Sequence, residues 1–218
     1  LLPLRDENPS RTTPHVTRLV IAANVAIFLV TLVVGERGYV EILRNYALIP
    51  SFIMKGEAIH SLVTSMFLHG GIAHLAGNTL YLHIFGDNVE DACGHGRFIV
   101  FYLLCGTIAG VVDAFFTPNP NVPVVGASGA ISGILGAYLV LYPRAMILTV
   151  IPFLGFIHIV RVPAILYLGF WFIFQYWAGT LMLVYGIPTG VAYWAHIGGF
   201  VAGIAFASLF RRSPRPLP

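Results

Sequence analysis

Seven polar side chains stand inside long apolar runs of this sequence: His69, His74 and Asn78 in one run, Ser128 and Ser132 in another, Gln175 in a third and His196 in a fourth. Serine and histidine together suggest nucleophilic chemistry. A serine hydroxyl attacks a carbonyl only once a base takes its proton, and a neutral imidazole within hydrogen-bond reach is the usual activator. The oxyanion that follows needs donors. Asn78 can supply an amide N–H, His74 a ring N–H, and the start of a helix at Ser128 would add unpaired backbone N–H groups. No acidic residue is expected at this depth, so the pattern points to a Ser128–His196 dyad rather than a triad. A lone serine or asparagine in such a run also has a plainer role as an interhelical hydrogen bond. What decides between the two is whether these side chains meet.

The elements that carry them are set by composition. Of 218 residues, 57% are apolar and only 10% charged, and the mean hydropathy is +0.83. A soluble domain carries about 25% charge, so this chain would leave large apolar patches facing water. A lipid bilayer is therefore the expected surroundings. The net charge of +3 is not arranged as a nucleic-acid patch, because the basic residues stand at the edges of apolar runs. Cys93 and Cys105 are too few for a disulfide framework and form no CxxC pair. No metal is expected on these cysteines.

Six runs approach the roughly 20 apolar residues that a membrane-crossing helix needs: residues 19–34, 65–85, 98–116, 124–141, 164–185 and 189–210. The first follows acidic Asp6 and Glu7 and lacks a small-residue cleavage site, so it is expected to remain as a span rather than act as a leader. A seventh stretch, 147–160, is short, contains Pro152 and Gly155, and is bounded by Arg144 and Arg161; it is expected to be an interfacial loop. Nine basic residues, Arg5, Arg11, Arg18, Arg97, Arg144, Arg161, Arg211, Arg212 and Arg215, fall on one side of this layout, and Arg37, Arg44 and Lys55 on the other. The positive-inside rule then makes both termini cytoplasmic. The expected organisation is a cytoplasmic segment 1–18, a membrane domain 19–210 and a cytoplasmic tail 211–218, with one long external connection at 35–64. The fold class is an all-α polytopic membrane protein.

Depth brings three of the polar groups together. Ser128 lies 16 residues before Arg144, His196 lies 15 before Arg211, and Asn78 lies 15 before Cys93. At a rise of about 1.5 Å per residue these levels nearly coincide. His74 is one turn from Asn78 on the same helix face. Gly129 and Gly133 form one GxxxG step and Gly199 and Gly203 another, and such steps let helix backbones approach closely.

The string Gly126-Ala127-Ser128-Gly129, the preceding His74-Leu-Ala-Gly-Asn78, and Ala195-His196-Ile-Gly-Gly199-Phe-Val-Ala-Gly203 together resemble the rhomboid intramembrane serine proteases. The likeness runs through spans 2 to 6 in order. It implies a six-helix rhomboid-like bundle in which Ser128 is the nucleophile, His196 the general base, and Asn78 with His74 the oxyanion partners. His69 matches a family histidine associated with the fold and with water near the site. The resemblance further implies cleavage of transmembrane protein substrates in a lipid bilayer, without a cofactor, and the plain layout suggests a prokaryotic plasma membrane.

Two positions depart from the family's pattern. Where some members carry a tyrosine that stacks on the catalytic imidazole, this chain has Ser132, so His196 must be oriented by helix packing or by a hydrogen bond. The external connection lacks the family's Trp-Arg pair; Trp171, Trp177 and Trp194 all lie elsewhere. Other chemistries fit less well. A zinc protease needs HExxH, and no Glu stands between His69 and His74. An aspartyl protease needs apposed acids, whereas Asp113 and the Asp87–Asp91 group fall toward span ends on opposite sides. The hydrolase elbow GxSxG fails at Ala130. A rhomboid-like binding protein, or a His-lined metal or proton transporter, is the non-proteolytic alternative. Span 5, bulky with Phe170, Trp171, Phe172, Phe174, Tyr176 and Trp177, is the expected lateral gate.

Overall fold

The computed structural model describes residues 2–153, 156–186 and 189–212. In chain order the elements are β1 (Leu2–Asp6), α1 (His15–Val33), α2 (Gly35–Tyr46), α3 (Pro50–Met54), α4 (Ser61–Thr64), a short 3₁₀ turn (Ser65–Phe67), α5 (Ile72–Cys93), α6 (His95–Phe116), α7 (Ser128–Leu141), β2 (Met146–Phe153), β3 (Phe156–Pro163), α8 (Ala164–Tyr185) and α9 (Tyr193–Phe210). The connection at 35–64 is thus built from short helices. Gly155 and the tail residues 213–218, Arg215 among them, lie outside the described residues.

Among the described residues, four helices are long and apolar enough to cross a membrane: α1, α6, α8 and α9. The six expected spans need two corrections. The second does not begin at residue 65, since residues 65–67 form the 3₁₀ turn and α5 starts at Ile72. Asp87, Glu90 and Asp91 also make its second half polar. The fourth does not begin at 124. Val124 pairs instead with Leu48 in an isolated antiparallel bridge, with Leu48 N–H donating to Val124 O at 3.0 Å and Val124 N–H to Leu48 O at 2.7 Å. This pairing holds the chain extended up to the helix, which leaves α7 only 14 residues. Such a helix is about 21 Å long, short of a hydrocarbon core of about 30 Å.

The third correction concerns fold class and the stretch 147–160. The molecule is mostly helical but not all-α: β2 and β3 pair antiparallel from Met146↔Pro163 to Phe153↔Phe156, and β1 pairs with the other side of β2 from Asp6↔Ile147 to Leu2↔Val150. The run is rich in β-branched residues, and such residues favour strands. Pro152 falls beyond the reach of β1, where one edge of β2 is open and a missing N–H costs no ladder bond there. The sheet sits at the end of the bundle where α7 finishes and α8 begins, opposite Ser128.

Glycine sets the tightest packing. A Cβ on Gly199 would overlap the carbonyl oxygen of Gly129, and one on Gly203 that of Gly133, so α7 and α9 touch backbone to backbone as the GxxxG steps require. Around this pair the aromatic core comprises Phe85, Phe98, Phe101, Tyr102, Tyr138 and Tyr167, all nearly fully buried. The start of α1 is held by α5: Glu90 accepts from the N–H groups of Val16 (2.9 Å) and Thr17 (2.7 Å) and from the Thr17 hydroxyl (2.7 Å). A carboxylate at a helix N-terminus satisfies donors that have no partner within the helix.

Candidate active site

Ser128 is the first residue of α7, and it starts that helix because the chain turns sharply just before it. Gly126 has φ +125, a region that favours glycine. It is needed for space as well. A Cβ there would meet His74 Nε2 at 2.6 Å and Asn78 Nδ2 at 3.6 Å. The turn into α7 therefore lies directly against the His74–Asn78 face of α5, and the i, i+4 spacing read from sequence puts both side chains on it. Gly126 N–H donates to Ser65 O at 2.9 Å, which fixes the turn to the 3₁₀ segment.

From α9, His196 comes to the same place. Ser128 Oγ and His196 Nε2 are 2.8 Å apart, a hydrogen bond in which the hydroxyl donates to the ring nitrogen when the imidazole is neutral. The other ring nitrogen, Nδ1, lies 2.8 Å from Gln175 Oε1 on α8. The Trp171 ring lies tilted beside the imidazole at 6.0 Å between centroids, and Tyr193 stands edge-on at 6.5 Å. His196 is thus oriented by a hydrogen bond and two aromatic neighbours rather than by a stacking tyrosine. Ser132 takes no part: its hydroxyl donates to the Ser128 carbonyl at 2.7 Å.

Ser128, His196, His74 and Asn78 all line one cavity of about 930 Å³, together with Trp171 and Asp113. The four sequence-predicted residues are brought together in it. His69 stands one shell back, buried, its ring edge-on to His74 at 5.2 Å. Asn78 Nδ2 is buried and has no hydrogen-bond acceptor among the described residues. Such an unpaired donor costs free energy in the resting state, and at this position it can bind an oxyanion. The first N–H groups of α7, starting with that of Ser128, have no partner within the helix and can act with it.

Two residues with a part in this geometry carried no role in the sequence reading. Gln175 was visible only as a polar residue in an aromatic helix. Asp113, read as lying near a span end, is 2% exposed, and its Oδ1 accepts the Ala195 N–H at 3.3 Å, which anchors the first turn of α9 next to His196. An aspartate in an otherwise apolar run is the signal that marks it.

A family model for the Rhomboid domain matches residues 56–213. The chain is similar to the rhomboid protease GluP of Bacillus subtilis, 40% identical over 141 residues that cover 63% of this chain and 27% of that protein. It is 31% identical to the mitochondrial RHOMBOID-like protein 6 of Arabidopsis thaliana over 163 residues, 75% of this chain and 47% of that protein. Inactive rhomboid protein 1 of Drosophila melanogaster is 29% identical over 85 residues, 39% of this chain and 6% of that protein. The chain therefore spans between about a quarter and a half of the length of the first two of these relatives.

Proposed function

The chain belongs to the rhomboid family, a multi-pass membrane protein by its apolar helices, and from that premise we propose that it is an intramembrane serine endopeptidase. The observation that carries the proposal is the 2.8 Å contact between Ser128 Oγ and His196 Nε2 inside a large cavity. Because inactive relatives exist, activity rests on these atoms and not on kinship.

In the proposed reaction His196 Nε2 takes the hydroxyl proton as Ser128 Oγ attacks the scissile carbonyl carbon. The negative charge that forms on the carbonyl oxygen is met by Asn78 Nδ2–H and the Ser128 N–H, with His74 beside them. Donors already in place when charge develops lower the barrier most. His196 then gives its proton to the leaving amine, which leaves an acyl ester on Ser128. Water, deprotonated by the same imidazole, attacks the ester and restores the serine. No cofactor enters.

The substrate class proposed is a transmembrane segment of another membrane protein, reaching the cavity laterally. The topology proposed is six crossings, with α5 and α7 as the second and fourth, and cytoplasmic termini in a prokaryotic plasma membrane. The basic residues around the sheet end support this orientation. The test is cleavage of a model transmembrane substrate in liposomes: the parent should cut it, chelator should change nothing, and Ser128→Ala and His196→Ala should be inert while folded. A parent that never cuts, yet is folded, would place the chain with the inactive relatives.

A further inference from the structure

We infer that Gln175 is a positioning residue, one that holds His196 in the tautomer able to accept the Ser128 proton; this rests on the Ser128–His196 reading above. A neutral imidazole carries its single N–H on one nitrogen, and which one is set by its neighbours. A side-chain amide oxygen only accepts hydrogen bonds. With Gln175 Oε1 2.8 Å from Nδ1, the proton belongs on Nδ1 and the lone pair on Nε2, the nitrogen that faces Ser128 Oγ. A chain of two hydrogen bonds, Ser128 to His196 to Gln175, links three separate helices. It does with a neutral amide what a carboxylate does in a triad: it sets tautomer and ring orientation.

The setting makes a purely space-filling role a poor account. Gln175 is only 6% exposed on a helix whose neighbouring side chains Phe174, Tyr176 and Trp177 are exposed. Buried polar groups on this stripe need a partner, and the partner of its oxygen is the imidazole. Trp171, one turn earlier, flanks the same ring, and Tyr167, one turn earlier again, hydrogen-bonds Tyr81 of α5 at 2.9 Å. One stripe of α8 thus contacts the dyad and α5. The position of His196 depends on the docking of α8.

The test uses a fluorophosphonate probe, small enough to need no helix gating, on the detergent-solubilised chain. Ser128→Ala should abolish labelling; if it does not, the dyad reading fails by itself. Gln175→Leu, similar in size without an acceptor, should slow labelling by about 10- to 100-fold, since a wrongly held imidazole alone costs a serine hydrolase about 10⁴. Gln175→Glu, which keeps the acceptor, should restore labelling to within several-fold of the parent. In parallel, ¹⁵N-histidine NMR, with His196 identified by its loss in His196→Ala, should show a protonated Nδ1 and a bare Nε2 in the parent and a shift toward Nε2–H in Gln175→Leu. Parent-rate labelling in folded Gln175→Leu overturns the inference, as does equal loss in both variants. Should neither variant fold, the parent spectrum decides, and a protonated Nε2 there refutes it.

Discussion

His74 of α5 stands directly against Gly126 in the turn into α7, so that a β-carbon on Gly126 would lie only 2.6 Å from the imidazole Nε2. The turn that presents Ser128 is therefore shaped by the same histidine that lines the site. Gly126→Ala meets two obstacles: a backbone at φ +125, worth about 1–3 kcal/mol of strain for a non-glycine residue, and a clash with His74. Substrate cleavage by this variant should fall at least tenfold, with a lowered melting temperature. Parent activity there would mean that the turn is not held against α5.

In the proposed mechanism Asn78→Ala removes one oxyanion donor among several. Loss of such a donor costs about 10² to 10³ in turnover. The expected outcome is that fall in kcat with little change in KM, measured on a transmembrane peptide, and an unchanged kcat would remove Asn78 from the site.

The Tyr81–Tyr167 hydrogen bond spans α5 and α8, the two helices between which a substrate segment would pass if α8 is the gate. The structure also sorts the aromatic residues of α8: Phe170, Phe174 and Trp177 are exposed, whereas Trp171 and Phe172 pack on Phe200. Tyr167→Phe removes only the tie, worth about 1 kcal/mol. It should raise cleavage of a transmembrane substrate a few-fold while leaving fluorophosphonate labelling as in the parent. A variant that cleaves no faster would show that this tie is not rate-limiting.

How far the sequence could be read differs between the bundle and its edges. The convergence of Ser128, His196 and Asn78 was legible because each sits at a countable distance from a helix end and helix rise is constant, and His74 followed because it lies one turn from Asn78. The glycine steps were legible because small residues four apart mean close helices. The sheet was not, since a short apolar run such as 147–160 reads alike as strand or loop, and its partner β1 lies about 140 residues earlier in the chain. The short α7 was hidden for a similar reason: Val124 looks like the start of an apolar helix until Leu48 claims its backbone. Gln175 showed as an anomaly without a role, because nothing in its spacing tells which ring nitrogen it would meet.

The sheet end makes a prediction in pH. Asp6 accepts from Tyr138 Oη at 2.6 Å and from Asn88 Nδ2 at 3.0 Å. Burial, aided by neighbouring Asp87 and opposed by the Tyr138 hydrogen bond, pushes its carboxyl up from 3.8 to about 6. The folded chain then binds this proton more tightly than the unfolded one, so the contribution of Asp6 to stability is present below pH 4 and is lost as pH rises through about 6. Asp6→Asn keeps a neutral acceptor. Its melting temperature relative to the parent should rise steadily from pH 4 to pH 7, and a difference that stays flat over that range would contradict the shifted carboxyl.

The most direct measurement is the site of covalent capture. A fluorophosphonate probe reacts with an activated serine, and mass spectrometry locates the adduct among all the serines of the chain. One adduct on Ser128 is the predicted result, absent from Ser128→Ala and from His196→Ala, with Gln175→Leu labelled slowly. A folded parent that takes no probe, or one labelled at another serine while Ser128→Ala still cleaves a transmembrane substrate, would contradict it.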